Sequence, residues 1–327
     1  MPPLRLVAIF DQLADVFPGR NRTSAVEGGG PLQGSERSAP PGAVGSAETY
    51  VEQLPWPALA GRVRTVWVQH TGPRPYVQRN LPTGGVELQC PLGGLPRVIG
   101  PLTGARLQVL PPSTTVVGAR FWPGAAPMFL GLPINELLDL SVGLDDLWRG
   151  DAVRLGELLA ASRTPLTALE VLQGFLSSRQ ATAASLDKLV SAAVRRLMPG
   201  QLAEVGTLST EIGISESQLR RRFLTTVGIG PKALQRTLRF QGYLALAQAA
   251  ARPGPRTPVA SVADLAAGAG FADHAHLTRE CRRLSGLTPS ELLGSRSDRC
   301  GCGHDHAASY RFFTPDVGGS ALLSKDA

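Results

Sequence analysis

Two stretches in the last third of the chain repeat one pattern. VGTLSTEIGISESQLRRRFLTTVGIGPKAL runs from Val205, and VADLAAGAGFADHAHLTRECRRLSGLTPSEL runs from Val262. Each reads as a short helix, a glycine-bearing turn, a polar capping residue and a second helix with apolar positions every three or four residues. In the first copy Leu208, Ile212 and Ile214 are the apolar positions, and Gly213 takes the corner, where a positive φ costs it nothing. Ser215 followed by Gln218 has capping-box spacing. The helix from Glu216 to about Thr225 turns Leu219 and Phe223 inward. In the second copy Gly268-Ala269-Gly270-Phe271 forms the turn, Asp273 caps, and Leu277, Cys281 and Leu284 face inward. A lone pattern of this kind arises easily by chance; a tandem pair specifies two helix-turn-helix units.

The charge distribution agrees. Of 33 Lys and Arg against 26 Asp and Glu, the stretch from Arg195 to Arg299 holds 15 basic and 8 acidic residues, so the remainder is neutral. A basic excess confined to one segment is the footprint of a polyanionic partner. The second helix of the first unit leaves Ser217, Gln218, Arg220, Arg221 and Arg222 off its apolar stripe, and that of the second leaves His274, His276, Thr278, Arg279, Arg282 and Arg283. Arg pairs with guanine O6 and N7, and Gln with adenine, in a major groove. The connector from about Pro231 to Ala251 spans roughly 31 Å at ~1.5 Å per residue, close to the ~34 Å between successive major grooves on one face of DNA. A purely structural helical bundle explains the repeat but neither the Arg-rich faces nor the connector length.

Upstream, five regions follow from composition and period. Residues 1–46, rich in Gly, Pro and Ser, read as a disordered extension. Residues 47–132 carry short β-rich runs (RVRTVWVQHT, VELQC, RLQVL, TTVVGARFW) and read as an antiparallel sheet or barrel-like module, with Pro82, Gly84 and Gly85 turning the chain before Val86–Cys90. Residues 133–198 become helical in period (INELLDL, DAVRLGELLAAS, PLTALEVLQGFLSSRQ, SLDKLVSAAVRRL) and read as a connector. Residues 199–295 hold the tandem units, and 296–327 a flexible tail. The fold class is α+β: a β module, a helical connector and an all-α domain.

The tandem segment resembles the DNA-binding domain of the AraC/XylS family of bacterial regulators over about 90 residues. The most specific stretch is GFADHAHLTRECRRLSGLTP. The resemblance implies base contacts by Ser217, Gln218, Arg220 and Arg221 from the first unit and by His274, Ala275, His276, Thr278 and Arg279 from the second. Phosphate contacts are expected from Arg222, Lys232, Arg236, Arg239, Arg282 and Arg283. Cys281 stands where the family usually has a core Phe, and Ala275 is small for a base contact. The stretches LPTGGVELQC, VVGARFWPGAAPMFLG and LDDLW resemble the N-terminal module of a subgroup of these regulators in high-GC bacteria, which implies a sensing or dimerising role. Within that module Glu87 and Arg120 are opposite charges in predicted strands that either meet in a pocket or form a structural or exposed ion pair.

The expected partner is double-stranded promoter DNA, with RNA polymerase and a small-molecule effector as further candidates, no membrane, no cofactor, and a monomer or homodimer. No apolar run approaches the ~20 residues of a membrane span. The segment MPPLRLVAIFDQLADVF is broken by Asp11 and Asp15 and has no cleavage site, so the cytoplasm is the expected location. Cys90, Cys281, Cys300 and Cys302 are too few and scattered for a disulfide scaffold. In CGCGHDH, Cys300, Cys302, His304 and His306 alternate, which offers candidate soft ligands for Zn²⁺ or Cu⁺; a flexible tail is the simpler reading. Two alternatives follow: a metal-responsive sensor, and an enzyme of DNA-repair type carrying a DNA-binding appendage. The second lacks a G-x-S-x-G elbow, a phosphate loop and H-E-x-x-H. It would rest on Cys90, whose position in a strand suits a small buried residue.

Overall fold

The computed structural model describes residues 48–181, 185–199, 201, 204–250, 261–294 and 306–313. The extension at 1–46 lies outside them. The described strands are β1 (Thr49–Gln53), β2 (Val63–His70), β3 (Tyr76–Asn80), β4 (Glu87–Pro91), β5 (Arg97–Ile99), β6 (Arg106–Leu110), β7 (Thr115–Phe121) and β8 (Ser141–Gly143). The helices are α1 (Pro127–Leu130), α2 (Asp145–Trp148), α3 (Gly150–Ala160), α4 (Pro165–Ala181), α5 (Lys188–Arg196), α6 (Val205–Ile212), α7 (Glu216–Val227), α8 (Pro231–Ala250), α9 (Val262–Gly268), α10 (His274–Ser285), α11 (Pro289–Gly294) and α12 (Ala307–Tyr310). No helix among the described residues is long and apolar enough to cross a membrane.

Six strands form one antiparallel sheet in the order β1-β2-β7-β4-β5-β8, and β3 pairs with β6 as a separate antiparallel ribbon. The sheet is open rather than a closed barrel. Strand alternation gives it two different faces. Val66, Leu88, Cys90, Val117, Ala119 and Phe121 occupy the apolar face and share a core with Ala168, Leu169, Leu172 and Leu176 of α4. Trp67, Gln69, Glu87, Gln89 and Arg120 occupy the other face, across a cleft from Gln78, Asn80 and Gln108 of the ribbon. Trp67 lies directly across Gly118; a Cβ there would stand 2.3 Å from its indole, so only glycine fits.

Three expectations are corrected. The sheet does not stop at residue 132: β8 completes its edge, a three-residue strand too short to show a period. The helices of 133–198 also do not act as one connector. INELLDL contributes only a 3-10 turn, Ile134–Leu137. Helices α3 and α4 complete the core of the β module, whereas Val190, Ala193 and Val194 of α5 enter the core of the C-terminal helices. The tail is not flexible throughout. His306, Ser309, Tyr310 and Phe313 are buried, because the short helix α12 and the turn after it pack against the sheet and α8. Phe312 meets Trp122 edge-on at 4.8 Å.

Candidate nucleic-acid interface and buried polar cleft

Local chemistry builds the second helix of the first unit. α6 ends at Gly213 with φ +78°, which the turn requires. The backbone N–H of Gln218 then donates to Ser215 Oγ at 3.2 Å, and the Ser215 N–H donates to Gln218 Oε1 at 3.1 Å, closing the capping box. Leu219, Phe223 and Val227 are buried, which leaves Ser217, Gln218, Arg220, Arg221 and Arg222 exposed on α7. Two of these are partly committed. The Gln218 carbonyl oxygen serves the cap, so reading adenine through both amide atoms would require giving it up. Arg222 holds Asp187, the N-cap of α5, in an ion pair of 2.6 Å.

The second unit repeats the design with different end groups. Ser261 and Asp264 form a capping box on α9, Gly270 takes the turn at φ +80°, and Asp273 Oδ1 accepts the His276 N–H at 2.6 Å. His274, Ala275, Arg279, Arg282 and Arg283 are exposed on α10. His276 is half-buried with its ring edge-on to Phe271, and the Thr278 hydroxyl donates to the His274 carbonyl at 2.8 Å. Cys281 is fully buried, its thiol pushed up to about 12 by burial and the nearby Glu280 charge. On α8 Lys232 is exposed, Arg239 lies against the Gly270 turn, and Arg236 sits 3.8 Å from Glu280.

The polar face of the sheet gathers a second cluster. Glu87 and Arg120 are cross-strand partners in register, with Nε donating to Oε2 at 2.7 Å. Arg120 also donates to Glu52 at 2.5 Å and to the Tyr50 hydroxyl at 2.8 Å, and lies over the Trp67 ring. His306 Nδ1 stands 3.1 Å from the other Glu52 oxygen. Burial alone would raise the Glu52 carboxyl, but Arg120, His306 and the Thr65 hydroxyl outweigh it and hold the group well below the usual carboxylate range. Of this cluster the sequence exposes only Glu87 and Arg120, through strand alternation. Glu52 and His306 are separated by 254 residues, and no local signal joins them. Cys300, Cys302 and His304 lie outside the described residues, so of the candidate metal ligands only His306 is placed, against Glu52. Cys90 is buried on the apolar face with its thiol pushed well above the ordinary range, and presents no thiolate.

Comparisons with known proteins divide the chain in a similar way. Residues 208–295 match a family described as a helix-turn-helix domain, and residues 51–143 match a domain of unknown function (DUF6597). The C-terminal segment is an AraC-type helix-turn-helix domain, a module that supports DNA binding. No curated protein matches the chain. Similar solved structures include ToxT from Vibrio cholerae in apo form, at 13% identity and a TM-score of 0.40, over 70% of this chain and 96% of that one. ToxT bound to (E)-4-(8-methylnaphthalen-1-yl)but-3-enoic acid gives 12% and 0.39, over 75% and 98%. Unsaturated fatty acid-bound ToxT gives 11% and 0.39, over 77% and 96%.

Proposed function

We propose that the chain is a one-component regulator that reads a promoter with α7 and α10 in adjacent major grooves and senses a small molecule through its N-terminal module. One observation carries the DNA reading: the two capped helices each turn a cation-bearing face to solvent, and the 20-residue α8, about 30 Å long, separates them. The base contacts we assign are Ser217, Gln218 through its amide N–H, Arg220, Arg221, His274, His276, Thr278 and Arg279. Phosphate contacts come from Lys232, Arg239, Arg282 and Arg283, with Arg222 and Arg236 joining only if they leave Asp187 and Glu280. RNA polymerase is a partner of such a regulator at the promoter.

Sensing is favoured over a purely structural role because the cleft between the sheet and the ribbon is polar. A packed sheet–ribbon interface ordinarily excludes groups such as Gln69, Gln78, Gln89 and Gln108. Homodimerisation is a separate matter, read by sedimentation of the full chain.

Selection of bound sites from genomic DNA, followed by titration of a selected site, tests the reading. Arg221→Ala is expected to cost about 1–3 kcal/mol at that site and relax specificity at one position, while Lys232→Ala weakens binding to all sequences alike and lowers the salt slope by about 1. An Arg221→Ala protein with full affinity and specificity would remove Arg221 from the reading face.

A further inference from the structure

Arg64 breaks the alternation of β2. The pairing register with β7 shifts between Val63 and Thr65, so Arg64 has no cross-strand partner. Such a bulge re-aims a side chain. Instead of joining Val66 on the apolar face, Arg64 lines a cavity of about 60 Å³ with Glu87 and Arg120 from the sheet, Gln241 from α8, and Ser309 and Tyr310 from the tail.

The guanidinium there is under-used. Arg64 is 2% exposed. Among the described residues its Nε has no hydrogen-bond partner, and Nη1 reaches the Thr83 carbonyl only at 3.5 Å. Its other close neighbour is the face of Phe313, 5.6 Å away. Among the described residues it has no carboxylate partner, since Glu52 and Glu87 are both committed to Arg120. Burial, and secondarily the Arg120 charge, lower its pKa to about 10, so it stays cationic at neutral pH. A buried guanidinium N–H left without a hydrogen bond is costly to keep, and a planar fork of N–H donors fits a carboxylate or phosphate group.

We propose that this cavity is a binding site for a small oxyanion, a carboxylate or phosphate group held by Arg64 at the junction of the sheet, α8 and the tail. The volume corresponds to roughly four water molecules at ~10–15 Å³ each, enough for one such group. Ser309 and Tyr310 line the same space. Because Gln241 belongs to the helix between the two reading units, occupancy bears directly on the DNA-binding half. The assignment rests on the reading of the N-terminal module as a sensor.

Thermal unfolding of the full chain tests it, with sodium phosphate and sodium acetate titrated separately at constant pH and ionic strength. At least one anion is expected to give a saturable rise of several degrees, and which one does so separates phosphate from carboxylate. Arg64→Met is expected to lose that rise while unfolding, without anion, at or above the wild-type midpoint. Absence of a saturable rise in the wild type, or an unchanged rise in Arg64→Met, overturns the proposal. If Arg64→Met fails to fold, Arg64→Lys keeps the charge without the fork and should bind at least tenfold more weakly; undiminished binding overturns the role of Arg64. Binding through Arg64 with unchanged promoter affinity upholds the site and removes the sensing role. Promoter affinity that responds to another small molecule, with no oxyanion bound, does the reverse.

Discussion

Arg79 on β3 donates a hydrogen bond of 3.0 Å to the main-chain carbonyl of Ser285, the last residue of α10. A cation at a helix C-terminus meets the negative end of the dipole and satisfies a carbonyl that has no partner within the helix. The β ribbon thereby holds the end of the second reading helix.

Replacing Arg79 with Leu keeps the aliphatic stem and removes that bond. The expected cost is about 1 kcal/mol, with faster amide exchange at Gly286 and Leu287 and little change around α7. Hydrogen exchange followed by mass spectrometry measures this; uniform exchange in the two proteins would show that the contact restrains nothing.

Glu52 makes stability depend on acid. Its folded pKa is depressed below the unfolded value of about 4.5, so on acidification the unfolded chain takes up the proton first. The stabilisation is complete above about pH 4.5 and is lost as pH falls below it. Glu52→Gln should flatten that part of the profile, and at pH 7 it should cost about 3–5 kcal/mol by leaving Arg120 with Glu87 alone. Urea midpoints from pH 3 to pH 7 give both quantities.

Gly213 and Gly228 separate backbone strain from crowding. Both have positive φ, +78° and +86°. A Cβ at Gly213 meets nothing within 4 Å, whereas one at Gly228 stands 2.8 Å from Pro101 and 3.0 Å from the Ile134 carbonyl. Gly213→Ala should cost about 1–2 kcal/mol, and Gly228→Ala clearly more, because it also pushes α7 off the Ile134–Leu137 turn. Equal losses in denaturant titration would mean that Gly228 does not sit tightly against that turn.

Cys90 and Cys281 should resist thiol reagents in the folded protein and react only on unfolding, since burial suppresses both thiolates. Site-resolved alkylation decides this. Rapid native labelling of Cys90 would revive the reading of that residue as a nucleophile.

Features that depend on neighbours in the chain were open to reading from the sequence. Gln218 follows Ser215 by three residues, so their capping box follows from spacing; Gly213 and Asp273 mark a corner and a cap for the same reason. The inward stripe of Leu219 and Phe223 is a matter of helical period, and these features define the tandem units and their cation-bearing faces. Glu87 and Arg120 could be placed in strands, but not shown to be on paired ones or to meet. Tertiary structure alone decided that α3 and α4 complete one core and α5 another, because an apolar helix face does not specify its partner. It alone engaged Gln218 in its cap and Arg222 with Asp187. It brought His306 to Glu52, and a bulge in β2 turned Arg64 from the apolar face into the cavity beside α8 and the tail. Capping and periodicity act over three or four residues, whereas charge pairing and register act through space, and only the packed chain brings those groups within reach.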